Sequence, residues 1–233
     1  MPGISRCALR IAHANSFSFF FFSLVSLKLG SQISSGNKVM TTLPETIGKL
    51  TSLQELDLEK LKALTSIPQT IGQLSSLRVL QMRECKLVTS LPESIGQLKN
   101  LVELGLSKCF GITTLPPTVG QLSALEDLVL AKCKFLTSLP DEMGDCPSLC
   151  WLDLRNCKKL AHLPPTMHQL TKLRFLDVSG CKALTTLPSC RFPELQTLNV
   201  ANCEALTSVP EIYQSEAGAS SVLVGWEEKK EDS

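Results

Sequence analysis

A proline recurs every 24 residues along this chain of 233 residues. It stands at Pro44, Pro68, Pro92, Pro116, Pro140, Pro164 and Pro188, with a shortened step to Pro210, and always follows Leu, Ile or Val. The apolar residues between prolines keep the same beat. Starting at Leu91, the stretch LPESIGQLKNLVELGLSKCFGITT places Leu101, Leu104 and Leu106, then Cys109, Ile112 and Leu115, before the next Pro116. A constant period of this kind predicts coils stacked on one another. One coil cannot bury its leucines alone. A stack makes one continuous apolar core, with stability coming from nearest-neighbour contacts.

The triplet L-x-x-L-x-L ends in alternation, so Leu104 and Leu106 point to one face and Gly105 to the other, as a strand requires. It recurs from Leu53/Leu56/Leu58 to Leu195/Leu198/Val200 and predicts seven short parallel strands. Three residues after each strand comes a cysteine: Cys85, Cys109, Cys133, Cys157, Cys181 and Cys203. Leu61 holds that place in the first full repeat and Asn37 in the fragment before it. A small buried side chain with weak donor and acceptor capacity suits a turn there. The return arm, P-x-x-I-G-x-L, predicts about one turn of α- or 3₁₀-helix opened by proline. Gly48, Gly72, Gly96, Gly120 and Gly144 are expected to take the left-handed conformation that ends a short helix. His168 replaces that glycine, and the last arm, PSCRFPEL, is two residues short, so it is expected to be tighter and less helical. The Thr/Ser pairs before each proline, such as Thr65-Ser66 and Thr137-Ser138, predict a hydroxyl ladder bonding backbone between coils. The spacing L-x-x-L-x-L-x-x-C-x-x-L is that of a leucine-rich repeat. The predicted fold is an α/β leucine-rich-repeat solenoid, a right-handed superhelix with a parallel concave sheet and short helical or 3₁₀ segments on its convex side.

Residues 40–210 are read as the solenoid, residues 1–39 as a poorly ordered leader with a degenerate first repeat, and residues 211–233 as a C-terminal cap with a closing strand and an acidic tail. In the leader, Arg6 and Arg10 precede an apolar run from Ser16 to Leu27 that has the look of a signal-peptide core but lacks a small-x-small cleavage site. The run is too short to span a bilayer. A translated intron tract and a solenoid cap are rival readings of the same string. Carrying the beat backwards puts strand positions at Leu29, Gln32 and Ser34, where the pattern decays. Carried forwards, it puts inward sites at Ala219, Val222 and Val224, with Trp226 shielding the core edge.

Net charge is +1, and the basic residues are dispersed along the chain, so no nucleic-acid footprint is expected. Six of the ten cysteines belong to the ladder, whose thiols point the same way in poor disulfide geometry, and no N-x-S/T sequon occurs. These features favour a reducing home, cytoplasmic or nuclear, over secretion. Chemistry motifs are weak. Cys146, Cys150 and Cys157 lack the further paired ligands of a zinc site. His13, His162 and His168 form no nucleophile motif. No enzyme activity, cofactor, metal or membrane span is expected.

Function therefore falls to the strand residues that face outward on the concave side. Trp151 and Phe175 occupy matching places in adjacent coils, with rings about 5 Å apart by strand spacing. Asp153, Asp177, Arg155 and Arg174 surround them, and Arg83, Glu103 and Asp127 share the same columns. Aromatic residues and arginine dominate interface hot spots, so these nine residues are the candidate protein-binding site.

The units LTSLPESIGQLKNLVELGLSKC and LTSLPDEMGDCPSLCWLDLRNC resemble the repeat region of plant nucleotide-binding leucine-rich-repeat disease-resistance proteins. They are also similar to intracellular plant repeats related to Ras-binding scaffolds. The first resemblance implies sensing of pathogen effectors and restraint of a nucleotide switch in defence signalling. The sequence holds no G-x-x-x-x-G-K-[ST] loop, so it corresponds to the repeat region alone or to a truncated relative. A ubiquitin-ligase substrate adaptor is the remaining alternative, although its repeats lack the L-P-x-x-I-G arm.

Overall fold

Nine strands of two or three residues pair in chain order into one parallel sheet. They are β1 (Ser26–Lys28), β2 (Glu55–Asp57), β3 (Val79–Gln81), β4 (Glu103–Gly105), β5 (Asp127–Val129), β6 (Trp151–Asp153), β7 (Phe175–Asp177), β8 (Thr197–Asn199) and β9 (Leu223–Val224). The structure is a computed structural model that describes residues 24–30, 40–190, 192–210 and 223–225. From β2 to β7 each register steps by 24 residues, so Leu56, Leu80, Leu104, Leu128, Leu152 and Leu176 form one column. All six are at most 1% exposed. Alternation turns these leucines inward and leaves their strand neighbours on the open face.

On the other side of each coil the P-x-x-I-G-x-L arm folds as a 3₁₀ helix: η1 (Glu45–Lys49), η2 (Gln69–Gln73), η3 (Glu93–Gln97), η4 (Pro117–Gln121), η5 (Asp141–Asp145) and η6 (Pro165–Gln169). The preceding proline supplies an extended N-cap, with φ near −70° at Pro68 and Pro92. Among the described residues the short arm before β8 has no helix. There Phe192, 4% exposed, stands in the core where five other arms place a leucine and one places Cys146.

The arm glycines do not adopt the left-handed conformation expected of them. Among the described glycines only Gly180 and Gly225 have positive φ. Instead the glycines allow neighbouring helices to touch. A Cβ on Gly96 would lie 2.5 Å from the Thr118 carbonyl oxygen and 2.9 Å from the Thr118 Cβ. His168 is accommodated because, among the described residues, no helix follows it. The left-handed positions sit elsewhere, directly before the turn ladder, at Lys60, Glu84, Lys108, Lys132, Asn156 and Asn202. Gly180 holds the same place in the seventh coil.

The ladder cysteines are fully buried or nearly so. Each thiol donates to the carbonyl oxygen at the end of the preceding strand segment, from Cys85 to Leu58 at 3.1 Å through Cys133 to Leu106 at 3.1 Å and Cys203 to Val178 at 3.1 Å. Burial pushes Cys85, Cys133 and Cys181 up to about 12, so they remain donors. The sulfurs of Cys85, Cys109, Cys133, Cys157 and Cys181 are free thiols. The hydroxyl ladder forms in part: Thr65 donates to the Thr41 carbonyl at 3.0 Å and Thr137 to that of Thr113 at 3.1 Å.

Both ends depart from the extrapolated beat. The first strand is built from Leu24, Leu27 and Leu29 rather than Leu29, Gln32 and Ser34. Leu27 pairs with Leu56, a step of 29 residues, and Leu27 and Leu29 are buried. The string LVSLKL has the L-x-x-L-x-L pattern, but its overlap with the apolar run hid it. At the other end, Leu223 rather than Val222 lies opposite Leu198, and Val224 faces out at 45% exposure. Gln32, Ser34, Asn37, Ala219, Val222 and Trp226 lie outside the described residues.

Candidate interaction surface

The open face of the sheet carries two outward places within each strand, with a third just past it. Trp151 and Phe175 are paired residues of β6 and β7. Their rings stack with centroids 3.7 Å apart and planes 10° from parallel. This is closer than strand spacing, because each ring leans onto the other to remove apolar area from water. Trp151 nevertheless stays 41% exposed.

Asp153 and Asp177 do not join this surface as free carboxylates. They are 1% and 5% exposed. Asp153 Oδ1 accepts the Arg155 N–H at 3.1 Å, and Asp177 Oδ1 accepts the Ser179 N–H at 2.8 Å. Asp57 accepts the Glu59 N–H at 2.8 Å, and Asn199 Oδ1 accepts the Ala201 N–H at 3.1 Å. The place therefore serves to bond the backbone where the strand turns, a local side-chain preference of Asp and Asn. Desolvation raises the Asp153 carboxyl above the usual carboxylate range, against the pull of the Arg155 N–H and guanidinium.

Arg155 remains accessible and pairs with Asp153 Oδ2 at 2.6 Å. Arg174 is paired with Glu194, with Nε to Oε2 at 3.0 Å. Asp127 lies opposite Trp151 in the sheet, half-buried, and its carboxyl is raised by desolvation and then by Glu103 and Glu126. Glu103 lies one strand further and accepts from Gln81 Nε2 at 2.5 Å. Arg83 is exposed just past β3, at least about 14 Å from the aromatic pair by three strand spacings. The structure thus groups Trp151, Phe175 and Asp127 across neighbouring strands, and leaves Arg83 apart.

Cys150 is a member the sequence reading left out. It is half-buried beside the site, with its thiol raised by burial and by Asp127 and Glu126, and lowered by Arg174. Its place next to Trp151 was the available signal. Where the short last arm withdraws, an open groove of about 440 Å³ is lined by Leu163, Pro165, His168, Leu187, Pro188 and Cys190, among others. His168 there is tied to the Pro165 carbonyl oxygen at 2.9 Å. No cluster of three metal-ligating side chains occurs among the described residues, and no helix among them is long and apolar enough to cross a membrane.

A Leucine Rich Repeat family model matches residues 76–98. No curated protein matches the chain. Among solved structures, the leucine-rich repeat domain of the type III effector XopL aligns with a TM-score of 0.62 at 21% identity, covering 80% of this chain and 73% of that one. The Leptospira interrogans leucine-rich-repeat protein LIC12759 aligns at 26% identity over 87% of this chain and 64% of that one, with a TM-score of 0.48. The ectodomain of the Arabidopsis thaliana receptor kinase GASSHO1/SCHENGEN3 aligns at 22% identity over 81% of this chain and 30% of that one, with a TM-score of 0.39. The first of these supports the fold alone.

Proposed function

We propose that this leucine-rich-repeat solenoid is a protein-interaction module, and that its partner seats on the open face of the sheet around Trp151 and Phe175. The observation that carries this reading is a stacked aromatic pair that leaves Trp151 41% exposed on the open face of the sheet. Trp and Arg supply most of the energy at protein interfaces when desolvated by a partner. Glu103, Asp127 and Arg83 then lie along the footprint, which favours a partner with mixed charge. Asp153 and Asp177 act by holding the strand ends.

The repeat units resemble those of plant disease-resistance receptors, which supports effector sensing or scaffolding in defence signalling. The buried free thiols support a reducing compartment, cytoplasmic or nuclear. The test uses the wild-type chain and the W151A/F175A variant as parallel baits. A partner held by the wild type and lost by a variant with near-native melting supports the proposal. Retention of every partner by the variant sinks it.

A further inference from the structure

Lysines that look dispersed in the sequence are gathered by the coil period onto one flank of the solenoid. The residue after the turn ladder is lysine in five of seven coils (Lys62, Lys86, Lys134, Lys158 and Lys182), and the residue before it is lysine in three (Lys60, Lys108 and Lys132). These turns touch through their backbones: Lys108 N–H donates to Ala131 O at 2.8 Å and Lys132 N–H to Arg155 O at 2.7 Å. The cations therefore repeat at about the strand spacing of 4.8 Å, well within the range of their mutual repulsion. Two carboxylates of these ladder-flanking places are already held, Glu84 by Lys108 at 2.7 Å and Glu204 by Lys182.

The same flank is not purely charged. Leu87 and Phe135 are 53% and 48% exposed, in a protein whose other leucines are mostly buried. They hold the same place two coils apart, and Gly111 between them lets its backbone sit close on the coil before, where a Cβ would lie 2.4 Å from the Val88 carbonyl oxygen. Phe110 lies between Lys86 Nζ at 5.4 Å and Lys134 Nζ at 5.1 Å, and Lys159 Nζ lies 4.8 Å from the Phe135 ring centroid.

We infer that this lysine flank is a second docking surface, separate from the aromatic face, for an acidic protein segment that also carries apolar side chains. Charge complementarity selects the sign of the partner. The exposed Leu87 and Phe135 give its apolar residues a seat. A single-stranded nucleic acid is disfavoured because base stacking needs free ring faces, and here ammonium groups lie over them. An anionic bilayer is the rival occupant that the vesicle arm of the test addresses.

The test is fluorescence anisotropy with the full chain and a labelled synthetic peptide of about 12 residues that alternates Glu with Leu, run beside its Gln-for-Glu analogue, an oligothymidine and phosphatidylserine vesicles. The acidic peptide is expected to bind, and to bind about tenfold more weakly when salt rises from about 50 to about 200 mM. The K86E/K134E/K158E variant should lose about tenfold or more, and L87S/F135S about threefold, whereas K49E and K172E, outside the flank, should change nothing. The inference is overturned by absence of binding at low salt, by equal binding of the Gln analogue, by indifference to the charge reversals, or by tighter binding of the oligothymidine or the vesicles.

Discussion

The indole of Trp151 lies flat on the ring of Phe175, with centroids 3.7 Å apart, although the two residues are 24 positions apart in the chain. The pair is partly exposed, so it contributes little to the core. A double-mutant cycle of W151A and F175A, read by urea unfolding, should give a coupling of about 0.5–1.5 kcal/mol. Zero coupling would mean that the rings do not stack in solution.

The carboxylate of Asp153 is a backbone acceptor in a buried place. D153A should destabilise the fold by about 1–3 kcal/mol, because it leaves the Arg155 N–H without its acceptor. D153N should lie within about 1 kcal/mol of wild type, since Asn199 makes the same bond one coil beyond Asp177 and an amide carries no charge to desolvate. Equal losses in the two variants would refute the assignment. Denaturant midpoints decide it.

Helix-to-helix contact explains the arm glycines. G96A should cost about 1–3 kcal/mol through overpacking against Thr118. H168G, at the equivalent place in the last helical arm, should be close to neutral, because no helix follows η6. A neutral G96A in thermal or chemical denaturation would show that the stack has room to relax.

Alkaline pH should unfold this protein steeply. The thiols of Cys85, Cys133, Cys146 and Cys181 are pushed from an ordinary value near 9 up to about 12 by burial. A raised folded value means that the native state keeps protons the unfolded chain has released. Their contribution is therefore fully present below about pH 9 and is lost as pH rises toward about 12. Unfolding midpoints should stay flat near neutrality and fall above about pH 9, and C133A/C181A should flatten that fall. In native protein, the half-buried Cys150 and Cys190 should react with a thiol reagent ahead of the ladder sulfurs.

The sheet, the order of its strands and the buried leucine columns were legible from the period alone. Covalent repetition puts equivalent residues at equivalent places, and Leu104 must face inward wherever Leu80 and Leu128 do. The aromatic pair was legible for the same reason, since one period separates Trp151 from Phe175. The terminal strands were not. The step to β1 is 29 residues and the step to β9 is 25, and an irregular loop length leaves no beat to follow.

What the repeat settled by itself was which side chains are equivalent, because that depends only on spacing along the chain. Tertiary structure decided what each equivalent set does. Lateral contact between coils gave Gly96 its role against Thr118 and assembled lysines 24 residues apart into one charged flank. Those outcomes rest on hydrogen bonds and close packing between neighbouring coils, forces that act across space between residues the sequence keeps far apart.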